Sequence, residues 1–226
     1  KYPFGGACNQ YDNLRRGLTF DIPALDGVTQ RQKMVFETFA TRPSEMKPPR
    51  GRIGLNRSFL IHTYYPLYAH FFTAVGFEPV LSKTCLPTGI DKKNSSFCYP
   101  GELAHGYFEG LLAASSPPDY LFLPHFKALP NDGSARDSQT CPLLQGEPFY
   151  LQSAFRSWIE ALRKRGLKKV LTPLIDLSQG LSGMEKPLCA TAREMGIRPA
   201  QARLAFQAAL SSQQACFEAM RQTGHE

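Results

Sequence analysis

The feature that most constrains this chain is a regular alternation of short apolar runs with amphipathic helical patterns. Arg52-Ile53-Gly54-Leu55 reads as a strand, and Tyr68, Phe71, Phe72 and Val75 then recur as one helical stripe. Gly76 closes that stripe at the position where helices end in a left-handed residue. Pro79 to Ser82 reads as a second strand. Pro100 sits where a helix begins, with Ala104, Tyr107, Phe108, Leu111 and Leu112 as its apolar face, and Tyr120 to Leu123 is the third strand. After a polar loop from Pro130 to Thr140, Pro148 opens a helix carrying Leu151, Phe155, Trp158, Ile159 and Leu162 on one side. Lys169 to Leu171 is the fourth strand. Strand and helix in alternation predict an α/β fold: a Rossmann-like, three-layer parallel sheet with helices on both faces and right-handed crossovers.

The two ends read differently. Residues 1–50 form an irregular segment, rich in Gly, Pro and polar residues, that carries a Gly-Gly-x-Cys loop; only Arg31 to Phe39 is weakly helical. Residues 51–180 are the α/β core. In residues 181–226, Ala202, Phe206, Ala209, Gln213, Cys216 and Met220 recur at spacings of four and three, which marks one long C-terminal helix with a packing seam. That helix is expected to pack on the core or on further domains.

At 226 residues, with 42% hydrophobic and 20% charged residues, the chain can bury a full core. No window approaches the roughly 20 apolar residues of a membrane span, and no signal segment marks it for export, so a cytoplasmic protein without a membrane partner is expected. The chain begins with Lys1 and reads as a piece of something longer. Its formal charge of +7 would suit a polyanion, but Arg163, Lys164, Arg165, Lys168 and Lys169 sit where cations offset a helix dipole. No nucleic-acid motif accompanies them, and no nucleic-acid partner is expected.

Six cysteines could in principle make three disulfides, yet disulfide scaffolds are small and dense in cysteine, and this chain is neither. Reduced thiols fit better. Ligands bind beyond the carboxyl ends of the strands in an open parallel sheet, and three cysteines lie in segments that reach such a rim. Cys98 precedes Tyr99-Pro100, just before a helix start whose dipole and free N–H groups favour an anionic sulfur or a bound anion. Cys141 precedes Pro142 in the loop feeding the next helix, and Cys8 follows Gly5-Gly6, whose backbone can approach a bulky inorganic group. Thiolates near helix starts suit an iron-sulfur cluster, although there is no Cys-x-x-Cys pair, and a zinc site with His125 as fourth ligand stays open. Cys216 and Cys189 read as structural, and Cys85 lies in a Pro-rich loop.

His105 shares the polar side of the Cys98 helix with Glu102 and Glu109, where a ring nitrogen could donate to a cluster sulfur or a substrate carbonyl. The plain alternative is a solvated surface histidine. Gly106 and Gly110, four apart on the same helix, permit close packing against a neighbour. Neither a Gly-x-Gly-x-x-Gly nor a Gly-x-x-x-x-Gly-Lys pattern is present, so no dinucleotide or P-loop site is expected here.

The stretch from Cys98-Tyr-Pro-Gly-Glu-Leu-Ala-His-Gly-Tyr-Phe-Glu-Gly-Leu to Leu112, followed by Asp119-Tyr-Leu-Phe-Leu-Pro124 and Cys141-Pro-Leu-Leu-Gln-Gly-Glu-Pro148, resembles a known family. It is similar to the DUF2229 segment of large bacterial proteins related to the 2-hydroxyacyl-CoA dehydratases and their ATP-dependent activators. Gly5-Gly-Ala-Cys-Asn9 and the unit from Arg52 to Ser82 fit as well. The resemblance implies a low-potential four-iron four-sulfur or double-cubane cluster, reduced one electron at a time by an ATP-hydrolysing activator domain or subunit. It implies Cys8, Cys98 and Cys141 as ligands, and an acyl-CoA or other small reducible substrate for the whole system. Double-cubane members need more cysteines than these three, and the activator's ATPase signature is absent, so hydrolysis belongs elsewhere and this piece is not expected to turn over substrate alone.

Two other readings remain at this point. One is an interaction module with incidental cysteines, separated from the cluster reading by whether Cys98 and Cys141 are exposed or buried. The other is a cysteine nucleophile, Cys98 with His105, disfavoured because seven residues span about two helical turns.

Overall fold

The computed structural model describes residues 15–17, 26–41, 49–93, 98–131, 133 and 137–225. Its centre is a parallel sheet of four strands, β1 (Arg52–Leu55), β2 (Glu78–Leu81), β3 (Tyr120–Phe122) and β5 (Lys169–Leu171), in the order β2-β1-β3-β5. This is the α/β architecture with a parallel sheet that the alternating pattern predicts, and the strands start and stop within one residue of expectation.

Alternation along the strands sorts the side chains into two cores. Ile53, Leu55, Tyr120, Phe122 and Leu171 point to one face, where they meet α2 (Ile61–Ala74), α8 (Glu185–Glu194) and α9 (Pro199–His225). Leu121, Leu123 and Val170 point to the other, against α4 (Tyr99–Leu112), α6 (Glu147–Ala154) and α7 (Arg156–Lys164). Helices therefore cover both faces. Gly54 lies on the second face, where a side chain would collide with Pro118, Leu111 and Leu121. Gly76 takes φ +93° after α2, the left-handed stop expected of it.

The last helix packs along α2 and α8, with Ala202, Phe206, Ala209, Gln213 and Cys216 fully buried or nearly so. Gln213 has a specific task. Pro66 lies inside α2, and beside it Leu67 N–H donates to Gln213 Oε1 at 3.2 Å while Gln213 Nε2 donates to the Thr63 carbonyl at 3.0 Å. The amide thus bonds one backbone N–H and one carbonyl on the two sides of a proline that itself has no N–H to give the helix.

Four features depart from the sequence reading. Pro124 does not end the third strand's path: the chain continues as β4 (His125–Ala128), parallel to β6 (Leu174–Asp176). Leu123 N–H to Leu171 and His125 N–H to Pro173 carry the pairing across the gap. Pro124 and Pro173 lack the N–H groups a continuous ladder needs, and they divide it into two sheets. The helix expected from Pro148 to Leu162 is two helices, α6 and α7, broken at Phe155, a fully buried ring packed edge-on to Phe108 at 5.3 Å. Tertiary packing overrides local helix preference there. The weak pattern from Arg31 to Phe39 lies within α1 (Gly27–Lys33), capped by Asp26, and a π-helical turn, Met34–Thr38, that follows it. Finally, the face of α4 carrying Glu102, His105 and Glu109 is not a solvated one: His105 and Glu109 are buried. The segment around α3 (Pro87–Ile90) lies over Gly106 and Gly110, with Leu86 N–H bonded to the Gly106 carbonyl at 3.0 Å. Glu109 accepts from Thr88 Oγ1 in that contact.

No helix among the described residues is long and apolar enough to cross a membrane.

Candidate functional site

Beyond the carboxyl ends of β1 and β3, several loops and helix starts meet around a cleft of about 520 Å³. Cys98, Gly101, Glu102 and His105 of the α4 end line it, together with Leu143, Tyr150, Lys92 and Lys93. This is the edge where an open parallel sheet offers its binding crevice.

Cys98 is the N-cap residue of α4, in an extended conformation that lets the helix begin at Tyr99-Pro100. Its side chain makes no capping bond, so the sulfur is free to face the cleft, half-buried. Cys141 is the N-cap of the four-residue helix α5 (Pro142–Gln145), and its Sγ accepts from Leu144 N–H at 3.4 Å. Cys141 is exposed. Cys8 lies outside the described residues. The other thiols are of a different kind: Cys216 is buried in the seam of α9, Cys189 packs against the same core, and Cys85 packs against Gly106. Burial pushes all three of these thiols up from the ordinary range.

His105 is held rigidly. Its Nδ1 lies 2.8 Å from the Gly101 carbonyl, which can only accept, so Nδ1 carries the proton and Nε2 is the free nitrogen of the neutral ring. The imidazole stacks on Tyr150 with centroids 5.1 Å apart and planes 11° from parallel. Glu102 pairs with Lys93 at 2.9 Å at the cleft mouth. The Lys92 ammonium sits 5.6 Å over the Phe155 ring.

Behind the cleft lies a buried polar network that pattern reasoning did not single out. Asn56, the first residue after β1, donates from Nδ2 to the Ala104 carbonyl at 3.1 Å and to Glu147 Oε1 at 3.0 Å. Ser58 Oγ donates to the same carboxylate oxygen. Glu147 is 4% exposed, and burial lifts its carboxyl to about 7, with the Ser58 and Asn56 hydrogen bonds pulling the other way. Next to Ser58, Phe59 holds φ +35°, an unusual backbone conformation for a residue with a side chain. The Tyr150 hydroxyl is buried without a hydrogen-bond partner. Burial first, then the charges of Glu147, Cys98 and Cys141, push that phenol well above its usual range.

The structure thus brings Cys98, His105 and Tyr150 to one cleft, while Cys141 caps the short helix that contributes Leu143 to its lining. His125, the zinc alternative, is turned elsewhere: its Nδ1 lies 3.1 Å from the Gln145 carbonyl and its ring packs against Phe149. Among the described residues no three His, Cys, Asp or Glu side chains lie together as a metal site. A cluster ligated by three thiolates would therefore need Cys8 beside Cys98 and Cys141. Of the described thiols Cys98 lines the cleft of about 520 Å³ and Cys141 stands at the start of the short helix that contributes Leu143 to its lining, so the thiol donors such a group takes are present in that region.

A family model described as the CoA enzyme activase uncharacterised domain (DUF2229) matches residues 52–226. No curated protein and no solved structure matches the chain.

Proposed function

Because the chain belongs to the CoA enzyme activase DUF2229 family, we propose that this domain holds an iron-sulfur cluster through Cys98 and Cys141, with Cys8 as a third ligand, and relays low-potential electrons within a larger dehydratase- or activase-related protein. The observation that carries this reading is the placement of two thiols at helix starts on the carboxyl edge of a parallel sheet, with Cys98 in the lining of the cleft. Thiols kept only for packing would sit as Cys216 does, inside an apolar seam. When bound, a cluster of the four-iron four-sulfur or double-cubane type supplies one-electron chemistry at low potential.

The chain's own residues have distinct parts. Cys98 and Cys141 would ligate. His105, fixed by Gly101 and Tyr150, lines the cleft as a neighbour to the ligated group and not as a ligand. Lys92 and Lys93 place positive charge at the cleft, which suits a site that takes up electrons or an anionic partner. In this reading an ATP-hydrolysing activator domain or subunit delivers the electron and the final acceptor is an acyl-CoA or other small reducible molecule.

The test is anaerobic reconstitution of the protein with iron and sulfide, followed by iron and acid-labile sulfide analysis of wild type, Cys98→Ser and Cys141→Ser. Stoichiometric incorporation in wild type, lost in both variants, is expected. No incorporation in wild type, or incorporation untouched in both variants, overturns the assignment and leaves an interaction module with incidental cysteines.

A further inference from the structure

The central sheet has two edges, and they are finished differently. Along a strand the backbone N–H and C=O groups of successive residues point to opposite sides, so every second residue of an edge strand faces outward. In β2, Glu78 and Ser82 donate inward to the Gly51 and Leu55 carbonyls, which leaves Pro79 and Leu81 facing out. Pro79 has no N–H, and a proline on the open side blunts that edge. At the opposite edge β5 is followed by β6, and among the described residues no strand lies beyond either. Here the Leu171 and Pro173 carbonyls accept from Leu123 and His125, so the proline faces inward. Val170, Thr172 and Leu174 therefore face outward with donors and acceptors intact, in one register that crosses the gap between the two sheets.

Nothing guards this second edge. Thr172 is exposed, Leu174 is 61% exposed, Val170 is half-buried, and none of the three carries a charge. Such an edge is a template for another strand. Its sequence is also self-complementary. A two-fold axis at Thr172 sets two copies antiparallel, with Thr172 opposite Thr172 of the second copy and Val170 opposite Leu174, pairs that stabilise a ladder. The same register brings Lys168 opposite Asp176 of the second copy, unlike charges whose side chains are 52% and 37% exposed beside their own partners Asp119 and Lys127. Sliding the copies by two residues loses an outward pair and sets Leu174 against Lys168. Gly183 lies against the Asp176 carbonyl and ends the edge there.

We propose that the chain self-associates as a two-fold dimer through this edge, the outward groups of Val170, Thr172 and Leu174 pairing antiparallel with the same residues of a second copy and joining the two parallel sheets across the axis. The pairing needs no cluster and stands apart from the cluster reading.

The experiment is sedimentation velocity of the 25.2 kDa chain over a range of concentrations. A species of twice that mass is expected as concentration rises. Thr172→Lys sets like charges against each other on the axis and should weaken self-association by about tenfold or more. Thr172→Cys should link two copies by a disulfide under mild oxidation, since directly opposite residues of such a ladder stand about 5.5 Å apart between Cα atoms, within disulfide range. Val170→Cys faces a leucine and should stay unlinked, both variants being read against the wild type with its own six cysteines. A monomer at every concentration overturns the proposal, as does a dimer equally strong in Thr172→Lys or one that does not cross-link through position 172. If Thr172→Lys fails to fold, Leu174→Lys, at a position already exposed, makes the same test with the same two outcomes.

Discussion

The two faces of the central sheet are built to different ends. On the α2, α8 and α9 face, Tyr68, Phe71, Phe72 and Phe122 interlock with ring centroids 5.1 to 5.3 Å apart and no exposure. Among the described residues of that face, Gln213 is fully buried and bonds backbone groups beside Pro66, and the Tyr68 hydroxyl is buried without a partner. On the α4, α6 and α7 face the apolar core is smaller, and toward the carboxyl edge it gives way to Asn56, Ser58, His105, Glu147 and Tyr150. Each of these polar groups is costly to bury, and two of them have an atom without a partner. One face carries stability. The other spends part of it on holding polar groups in fixed positions around two thiols.

The sharpest way to break this comparison is to damage each face separately. Phe122→Ala, in the middle of the sealed face, should destabilise the fold by about 3 to 5 kcal/mol in denaturant unfolding. A cost under about 1 kcal/mol would show that the aromatic interlock is not the principal support. On the other face the informative variable is pH. Glu147 has a folded pKa near 7, above its ordinary value of 4.5, so the native state binds a proton that the unfolded chain has already released between those two values. Stability from this group is therefore fully present below about pH 4.5, falls as pH rises to about 7, and stays flat above. At about 1.4 kcal/mol per unit the full shift corresponds to about 3 kcal/mol. Glu147→Gln should remove that fall, so the difference between variant and wild type moves in the variant's favour from pH 5 to pH 8. A pH-independent difference would mean that the carboxyl is not held neutral.

The same division explains what was legible in the sequence. Ile53, Leu55, Phe71, Phe72 and Phe122 obey periods of two and 3.6, and such periodicity fixes both element type and facing side. Gly106 and Gly110 announced a close helix contact by spacing alone. Cys98 and Cys141 stood out because each precedes a proline at a helix start. Asn56, Ser58, Glu147 and Tyr150 follow no period, and they meet only because β1 ends where α6 begins, some 90 residues further along, as the Asn56 and Ser58 bonds to Glu147 record. The one signal open to pattern reading was position: Asn56 directly follows a parallel strand's carboxyl end, where ligand-facing residues gather. His105 looked solvated because its partners, Tyr150 and Phe155, come from a distant helix and its flank. The third and fourth strands read as ending at Leu123 and Leu171, since the pattern says nothing about whether the chain resumes pairing beyond Pro124 and Pro173.

Gln213 offers a smaller effect that separates packing from polar repair on the stable face. Gln213→Ala leaves the Leu67 N–H and the Thr63 carbonyl buried beside Pro66 without their bridging amide, a loss of about 2 kcal/mol. Gln213→Met keeps most of the volume but neither hydrogen bond. If the amide's role is repair, both variants lose stability similarly and hydrogen exchange at the Leu67 amide accelerates in each. If its role is volume, Met recovers most of what Ala loses. In either case iron and sulfide uptake should be unchanged, because α9 lies on the face away from the cleft. Loss of uptake in Gln213→Met at undiminished stability would show that the two faces are coupled through α2, and the division drawn between them would fail.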